Sequence, residues 1–234
     1  TPVVGGLASG SQVQGGHALF GGGRCHRIGA LVVAMRGALA VETVVAQGCR
    51  PIGDPMLITR CDGRVIRELG DERPVEILRA LYAELSPSDQ TLFRHSLFVG
   101  IEMRGDQEVY RHGDFQVRRI MGMDPNNGAI SIEDEVEPWQ VVQFHLRDPR
   151  TAESELRARL DAVTSEPEAA LMFTCTGRGL HLFGRPDHDT DLVRERFGSI
   201  PMTGLFCKGE IGPGGEESYL HGSTTVLALL RSHF

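Results

Sequence analysis

PMTGLFCKGEIGPGGEESYLHGST, residues 201–224, opens as an apolar run from Met202 to Phe206 and then breaks. Cys207-Lys208-Gly209-Glu210 leads into a turn rich in glycine and proline (Gly212, Pro213, Gly214, Gly215), and Leu220-His221-Gly222 leads out of it. A second apolar run, Thr224 to Leu230, follows at once. The pattern predicts two strands joined as a hairpin. The loop between them carries a thiol, an ammonium, a carboxylate and an imidazole. Residue types of this kind gather where strand-end loops build a site, although a hairpin with an ordinary polar loop has the same signature.

Working outward, Glu168 to Thr174 predicts an apolar strand that empties into Cys175-Thr176-Gly177-Arg178-Gly179. Before it, Thr151 to Val163 predicts the longest helix, with Leu156, Leu160 and Val163 as its apolar stripe. After it come short helices near Leu180–Phe183 and Thr190–Phe197. Strands are predicted at Leu97–Met103, Phe115–Met121, Ala129–Ile132 and Val141–Leu146. Pro74 to Leu85 has helical spacing with proline suited to the first turn, and Ser86 caps a second short helix. The first seventy or so residues read as β-hairpins: His17–Phe20 with Ile28–Met35, then Ala40–Ala46, then Met56–Arg60 and Val65–Leu69 around Asp62-Gly63. Gln47 to Gly53 reads as a loop. Hairpins followed by strands mixed with helices indicate an α+β fold of mainly antiparallel, mixed sheets flanked by helices. The change of texture near Asp71 to Pro74 divides the chain into residues 1–73 and 74–234.

Composition bounds the function. The 234 residues carry 24 Lys and Arg against 31 Asp and Glu, a net charge of -7. The basic residues are scattered among acids and form no phosphate-tracking face, so nucleic acid is not expected as a partner. No apolar run reaches the ~18 residues of a membrane helix. The five cysteines (Cys25, Cys49, Cys61, Cys175, Cys207) are odd in number, widely spaced and without a CxxC pair. That matches neither a disulfide framework nor a zinc ribbon and leads us to expect a reducing, cytoplasmic compartment. Glycine is abundant, 29 residues, which calls for many turns.

Several blocks occur in a fixed order: TPVVGGLASG, VAQGCRPIGDP, the Asp-Gly hairpin with VIREL, HGDFQVRRIMGMDPNNGAI, LMFTCTGRG, and GLFCKGEIGPGG with LHGST. In these blocks the chain resembles a FIST domain, with the later part of the N-terminal region (1–73) joined to the C-terminal domain (74–234). The resemblance implies a bacterial sensory module for small ligands, with amino acids proposed, feeding an unidentified signalling partner. It also implies that the first half of the N-terminal region is absent, which a second chain would have to supply. Within these residues the resemblance leads us to expect no kinase, cyclase or chemotaxis module.

Within that framework the candidate ligand residues are Arg50, Thr176, Arg178, Cys207, Glu210 and His221. Arg50 follows a predicted strand and can grip a carboxylate in a bidentate fashion. The Thr176–Arg178 loop exposes backbone amides between glycines. Glu210 orients a ligand or hydrogen-bonds loop amides, and Cys207 reacts or packs in the core. Asp187-His188-Asp189 sits before a helix and reads as a cap, not as a metal cluster, so no metal is assigned. Two other functions stay open. Thr1 at the head of the chain suits an N-terminal nucleophile of a self-processed hydrolase or acyltransferase. The resemblance also implies haem as a candidate cofactor, through a branch that senses nitric oxide, and His112 or His221 would be its ligand.

Overall fold

The computed structural model describes residues 3–11, 13, 15–103, 109–111, 113–215 and 217–233. In chain order the strands are β1 (Gly5–Gly6), β2 (Leu19–Gly21), β3 (Arg24–His26), β4 (Leu39–Ala46), β5 (Cys49–Asp62) and β6 (Val65–Leu69). Helices α1 (Pro74–Glu84) and α2 (Pro87–Ser96) follow, then β7 (Leu97–Glu102), β8 (Phe115–Met123), β9 (Ile130–Ile132) and β10 (Val141–Arg147). The rest is α3 (Pro149–Asp161), β11 (Ala169–Cys175), α4 (Leu180–Phe183), α5 (His188–Phe197), β12 (Met202–Cys207), β13 (Glu210–Gly214), β14 (Glu217–His221) and β15 (Thr225–Ser232). The fold is α+β, with antiparallel and mixed sheets.

Residues 48–152 form one compact unit and residues 1–47 with 153–234 form another. Residues 71–74 lie inside the first of these, from the turn after β6 to the first residue of α1.

The 48–152 unit is a closed six-stranded barrel in the order β10-β5-β6-β9-β8-β7, antiparallel throughout. Closure leaves no free edge. Its core is filled by Ile58, Ile66, Val99, Ile130, Val142, Phe144 and Leu146, with Leu78 of α1 packed on it. The Asp62-Gly63 hairpin forms as its sequence predicts, joining β5 to β6. β5 is far longer than predicted. It absorbs Cys49 to Gly53, read above as loop, by bending at Gly53, whose φ is +64°. A Cβ there would also meet Leu81 Cδ2 at 2.6 Å, so only glycine fits under α1. Ser86 caps α2 by accepting from Asp89 N–H at 3.2 Å.

The other unit is layered about the four-stranded sheet β12-β11-β15-β4. On one face α3 and α5 pack through Leu156, Leu160, Leu192 and Val193 against Val44, Met172, Leu227 and Leu229. On the other face lies the small sheet β1-β13-β14, with Gly212 of β13 against Val226 and Val45. Here the opening stretch departs from the hairpin reading. β12 and β15 are not partners. β11 lies between them, parallel to β12 and antiparallel to β15. The loop expected to join them makes its own hairpin instead, β13 with β14. A chain with parallel β11 and β12 needs a crossover, and α4 and α5 supply it. Ile28–Met35 also departs from the prediction. It pairs with nothing as a strand and stays exposed, with Ile28 at 85% and Val32 at 82%.

Candidate functional site

β-strand alternation sends the sequence-predicted residues to different places. Along β11, Ala170, Met172 and Thr174 face the helices. Phe173 faces the small sheet, as does Cys207 of β12, for a Cβ on Gly6 would come 2.6 Å from Cys207 Sγ and 3.4 Å from Phe173 Cδ1. The four-stranded sheet therefore separates two groups of polar residues.

On the small-sheet side, Cys207 is buried. Its Sγ lies 3.7 Å from Thr174 O and 3.5 Å from Glu210 Oε1. Glu210 is also fully buried, and its Oε2 accepts from Thr224 N–H at 3.1 Å. Burial first, and then the Glu210 charge, push the Cys207 thiol up to about 12. His221 pairs with Glu210 in the β13–β14 register, is 2% exposed, and has Nε2 3.1 Å from Gly212 O. This cluster joins the hairpin to the sheet beneath it.

On the helix side lies a cavity of about 270 Å³ between β12, the end of β11 and the start of α5. Met172, Ile200, Met202 and Phe206 give it apolar walls. Thr174, Thr190, Asp187 and Arg194 add hydroxyls and charges of both signs, and Gly179, His188, Asp189 and the β12 chain from Thr203 to Leu205 complete it. Arg178 and Asp189 support this wall from within. Arg178 Nε donates to Asp189 Oδ2 at 2.5 Å and Nη2 to Oδ1 at 3.0 Å. Oδ1 also accepts from His188 Nδ1 at 2.9 Å, and Oδ2 from Thr225 Oγ1 at 2.7 Å. Four bonds fill the lone pairs of one carboxylate. Burial alone would raise the Asp189 pKa, but hydrogen bonds from His188, Arg178 and Thr225 hold it well below the usual carboxylate range. The His188 ring stacks on Phe183, with centroids 3.4 Å apart, and its Nε2 lies 3.4 Å from Glu153 Oε2.

Asp189 is thus saturated and sets the position of α5. Asp187 stands at the helix N-cap in the left-handed region (φ 57°) but makes no side-chain cap, and Asp189 turns to Arg178 instead. The capping role read from Asp187-His188-Asp189 is therefore replaced by a buried ion pair and a cavity wall. Thr225 Oγ1 donates to Asp189, with Thr174 Oγ1 3.4 Å from it, and Thr174 lines the cavity.

The remaining expected residues fall as follows. Arg178 is buried beside the cavity wall with Asp189. Thr176 is exposed in the turn after β11, its N–H donating to Cys207 O at 2.8 Å. Arg50 belongs to the barrel unit and lies in a strand. Its guanidinium hydrogen-bonds Asp89 and stands 3.8 Å from Asp148. Thr1 and His112 lie outside the described residues. Among the described residues no group of three or more His, Cys, Asp or Glu side chains is arranged to hold a metal ion, and no helix is long and apolar enough to cross a membrane. His188 and Asp189 were read in the sequence only as part of a helix cap, and Thr190 and Arg194 were not singled out. The one sequence signal, a run of acids beside a histidine at a helix start, covers the first two alone.

Comparison with known proteins fits this geometry into a family. The FIST N domain matches residues 1–72 and the FIST C domain residues 74–213. An uncharacterized protein of Mycobacterium tuberculosis (strain ATCC 25618 / H37Rv) is 40% identical over 233 residues, covering 98% of this chain and 61% of its own length. An uncharacterized protein of Mycobacterium bovis is 39% identical over 236 residues, covering 98% and 60%. F-box only protein 22 of Pongo abelii is 28% identical over 102 residues, 36% of this chain and 25% of that protein. The chain spans about three-fifths of the length of the mycobacterial relatives. FIST domains are sensory domains of signal-transduction proteins. With the two matches together spanning almost its whole length, the chain belongs to the FIST domain family.

Proposed function

We propose that the chain is a ligand-sensing module that takes a small zwitterion of amino-acid size in the cavity beside α5. The observation that carries this reading is the lining: Arg194, Asp187 and the hydroxyls of Thr174 and Thr190 over an apolar floor, in about 270 Å³. That volume lies just under the usual range for drug-sized ligands and suits a single small molecule. Arg194 and the first-turn amides of α5 favour a carboxylate, since a helix start has N–H groups without intrahelical acceptors. Asp187 and the hydroxyl of Thr174 favour an ammonium. Arg178 holds the wall in place, and the carboxylate of Asp189, already taken up by Arg178, His188 and Thr225, serves the wall. Cys207, Glu210 and His221 take no part in this reading because they lie across the sheet.

Calorimetric titration of the chain with each of the common amino acids tests it. Binding of at least one is expected, weakened about tenfold or more by Arg194→Ala, the loss of one charge-assisted bond. Thr190→Trp, at a half-buried position of α5 in the cavity wall, is expected to abolish it. Absence of binding to any amino acid, or full binding by Thr190→Trp, would overturn the reading.

A further inference from the structure

Cys175 and Cys207 are the last residues of β11 and β12 and are register partners in the parallel ladder. Register partners on neighbouring strands project to the same face. Neighbouring strands lie about 4.8 Å apart, inside the Cα window of roughly 4.4–6.8 Å that a disulfide spans. Both residues end their strands, so the turns at 176–179 and 208–209 can take up the small approach that bonding needs. Access differs between the two: Cys207 is buried and Cys175 is half-buried. Beside the buried thiol, 3.5 Å from its sulfur, stands the Glu210 carboxylate.

We propose that Cys175 and Cys207 are a reversible dithiol switch, with a hydroperoxide as oxidant, Cys175 as the thiol attacked first, and Glu210 as proton acceptor for Cys207. The Cys175 thiolate attacks one peroxide oxygen. The O–O bond breaks, Cys175 becomes a sulfenic acid, and the departing hydroxide or alkoxide takes a proton. Cys207 then gives its proton to Glu210 Oε1 and its sulfur attacks Cys175 Sγ. The S–S bond forms, the S–O bond breaks, and the hydroxide leaves as water with the proton from Glu210. Two thiols are oxidised by two electrons and one peroxide is reduced. The high pKa of Cys207 keeps that thiol protonated and inert until a sulfenic acid stands beside it. The new bond would tie together the strand ends just before the turn that carries Arg178 and Gly179, and so act on the cavity wall.

The test uses the chain with Cys25→Ser, which removes the exposed thiol. Brief treatment with hydrogen peroxide is expected to lower the mass by two hydrogen atoms. Peptide mapping should find Cys175 linked to Cys207, and dithiothreitol should reverse it. Cys175→Ser and Cys207→Ala should each abolish the link. In Glu210→Gln, sulfenic acid trapped by dimedone should accumulate on Cys175, with closure slowed about 10²-fold, the low end for loss of a general base. If Glu210→Gln does not fold, the two cysteine variants still decide. Oxidation of Cys175 to sulfinic acid with Cys207 still free, a link to Cys49 or Cys61, or no oxidation at all would overturn the proposal.

Discussion

Arg178 and Asp189 meet side-on in a space closed to solvent, the arginine side chain 0% exposed and the aspartate 6%. They stand eleven positions apart in the chain, with α4 between, so this pair fixes the loop after β11 to the start of α5. A paired buried charge is tolerable, but an orphaned one is not. Asp189→Ala strands the guanidinium and is expected to cost about 3–5 kcal/mol. Replacing both residues with apolar side chains of similar volume, Arg178→Met with Asp189→Leu, should cost less than either single change. Urea unfolding of the three variants checks this. Equal losses in the single and double variants would mean that His188 and Thr225 need the carboxylate as much as Arg178 does.

How far the sequence foretold this depends on range. Local signals succeeded: Asp62-Gly63 made its hairpin, Ser86 its cap, and Leu156 and Leu160 their buried stripe. Pairing between distant strands was not legible. The apolar runs 202–206 and 224–230 flank a turn-rich loop, yet the β11 strand, far upstream, lies between them. Nothing in a run of apolar residues says which neighbour it will take. The same limit hid the site. Arg178, Thr174 and Asp189 carry ordinary residue types, and only the fold puts them on one side of a sheet and Cys207, Glu210 and His221 on the other.

The same carboxylate makes stability depend on pH. Hydrogen bonds in the folded state hold Asp189 below its ordinary value of 3.8. The unfolded chain therefore binds a proton at a higher pH than the folded one. The stabilisation is present above about pH 4 and is lost as pH falls further, toward the folded-state value. Unfolding free energies between pH 3 and 6, compared for the wild type and Asp189→Asn, are expected to diverge above about pH 4 and converge below it. A constant difference across that range would refute the assignment.

Gly6 lets β1 lie directly on the thiol of Cys207. A methyl group there would sit 2.6 Å from Sγ and 3.0 Å from Cβ of Cys207. Gly6→Ala must therefore lift β1 or push β12, at about 1–3 kcal/mol. Cys207→Ala removes the nearer of the two atoms. The double variant should be destabilised by less than the sum of the singles, with a coupling of at least about 0.5 kcal/mol. Thermal or urea unfolding measures all three terms. Strict additivity would show that β1 moves away from the sheet freely.

Trp139 is the single tryptophan of the chain, and its backbone lies in the left-handed region at φ 73° while its side chain stays 70% exposed. It follows Pro138 in the turn from Glu137 to Gln140, at the position that demands positive φ. The turn is held by Glu137 N–H to Gln140 Oε1 at 2.9 Å and by Trp139 N–H to Ile58 O at 2.7 Å. Left-handed backbone costs an L-residue about 1–2 kcal/mol, and glycine avoids that cost while losing about 0.4–1 kcal/mol through the freer unfolded chain. Because the ring buries little, Trp139→Gly is expected to raise stability by about 0.5–1 kcal/mol, whereas Trp139→Ala keeps the strain and should change little. Circular dichroism in a urea titration can follow both, since the fluorescent reporter is the residue removed. A midpoint for Trp139→Gly below that of the wild type, with an unchanged m-value, would mean that contacts of the indole outweigh the backbone strain.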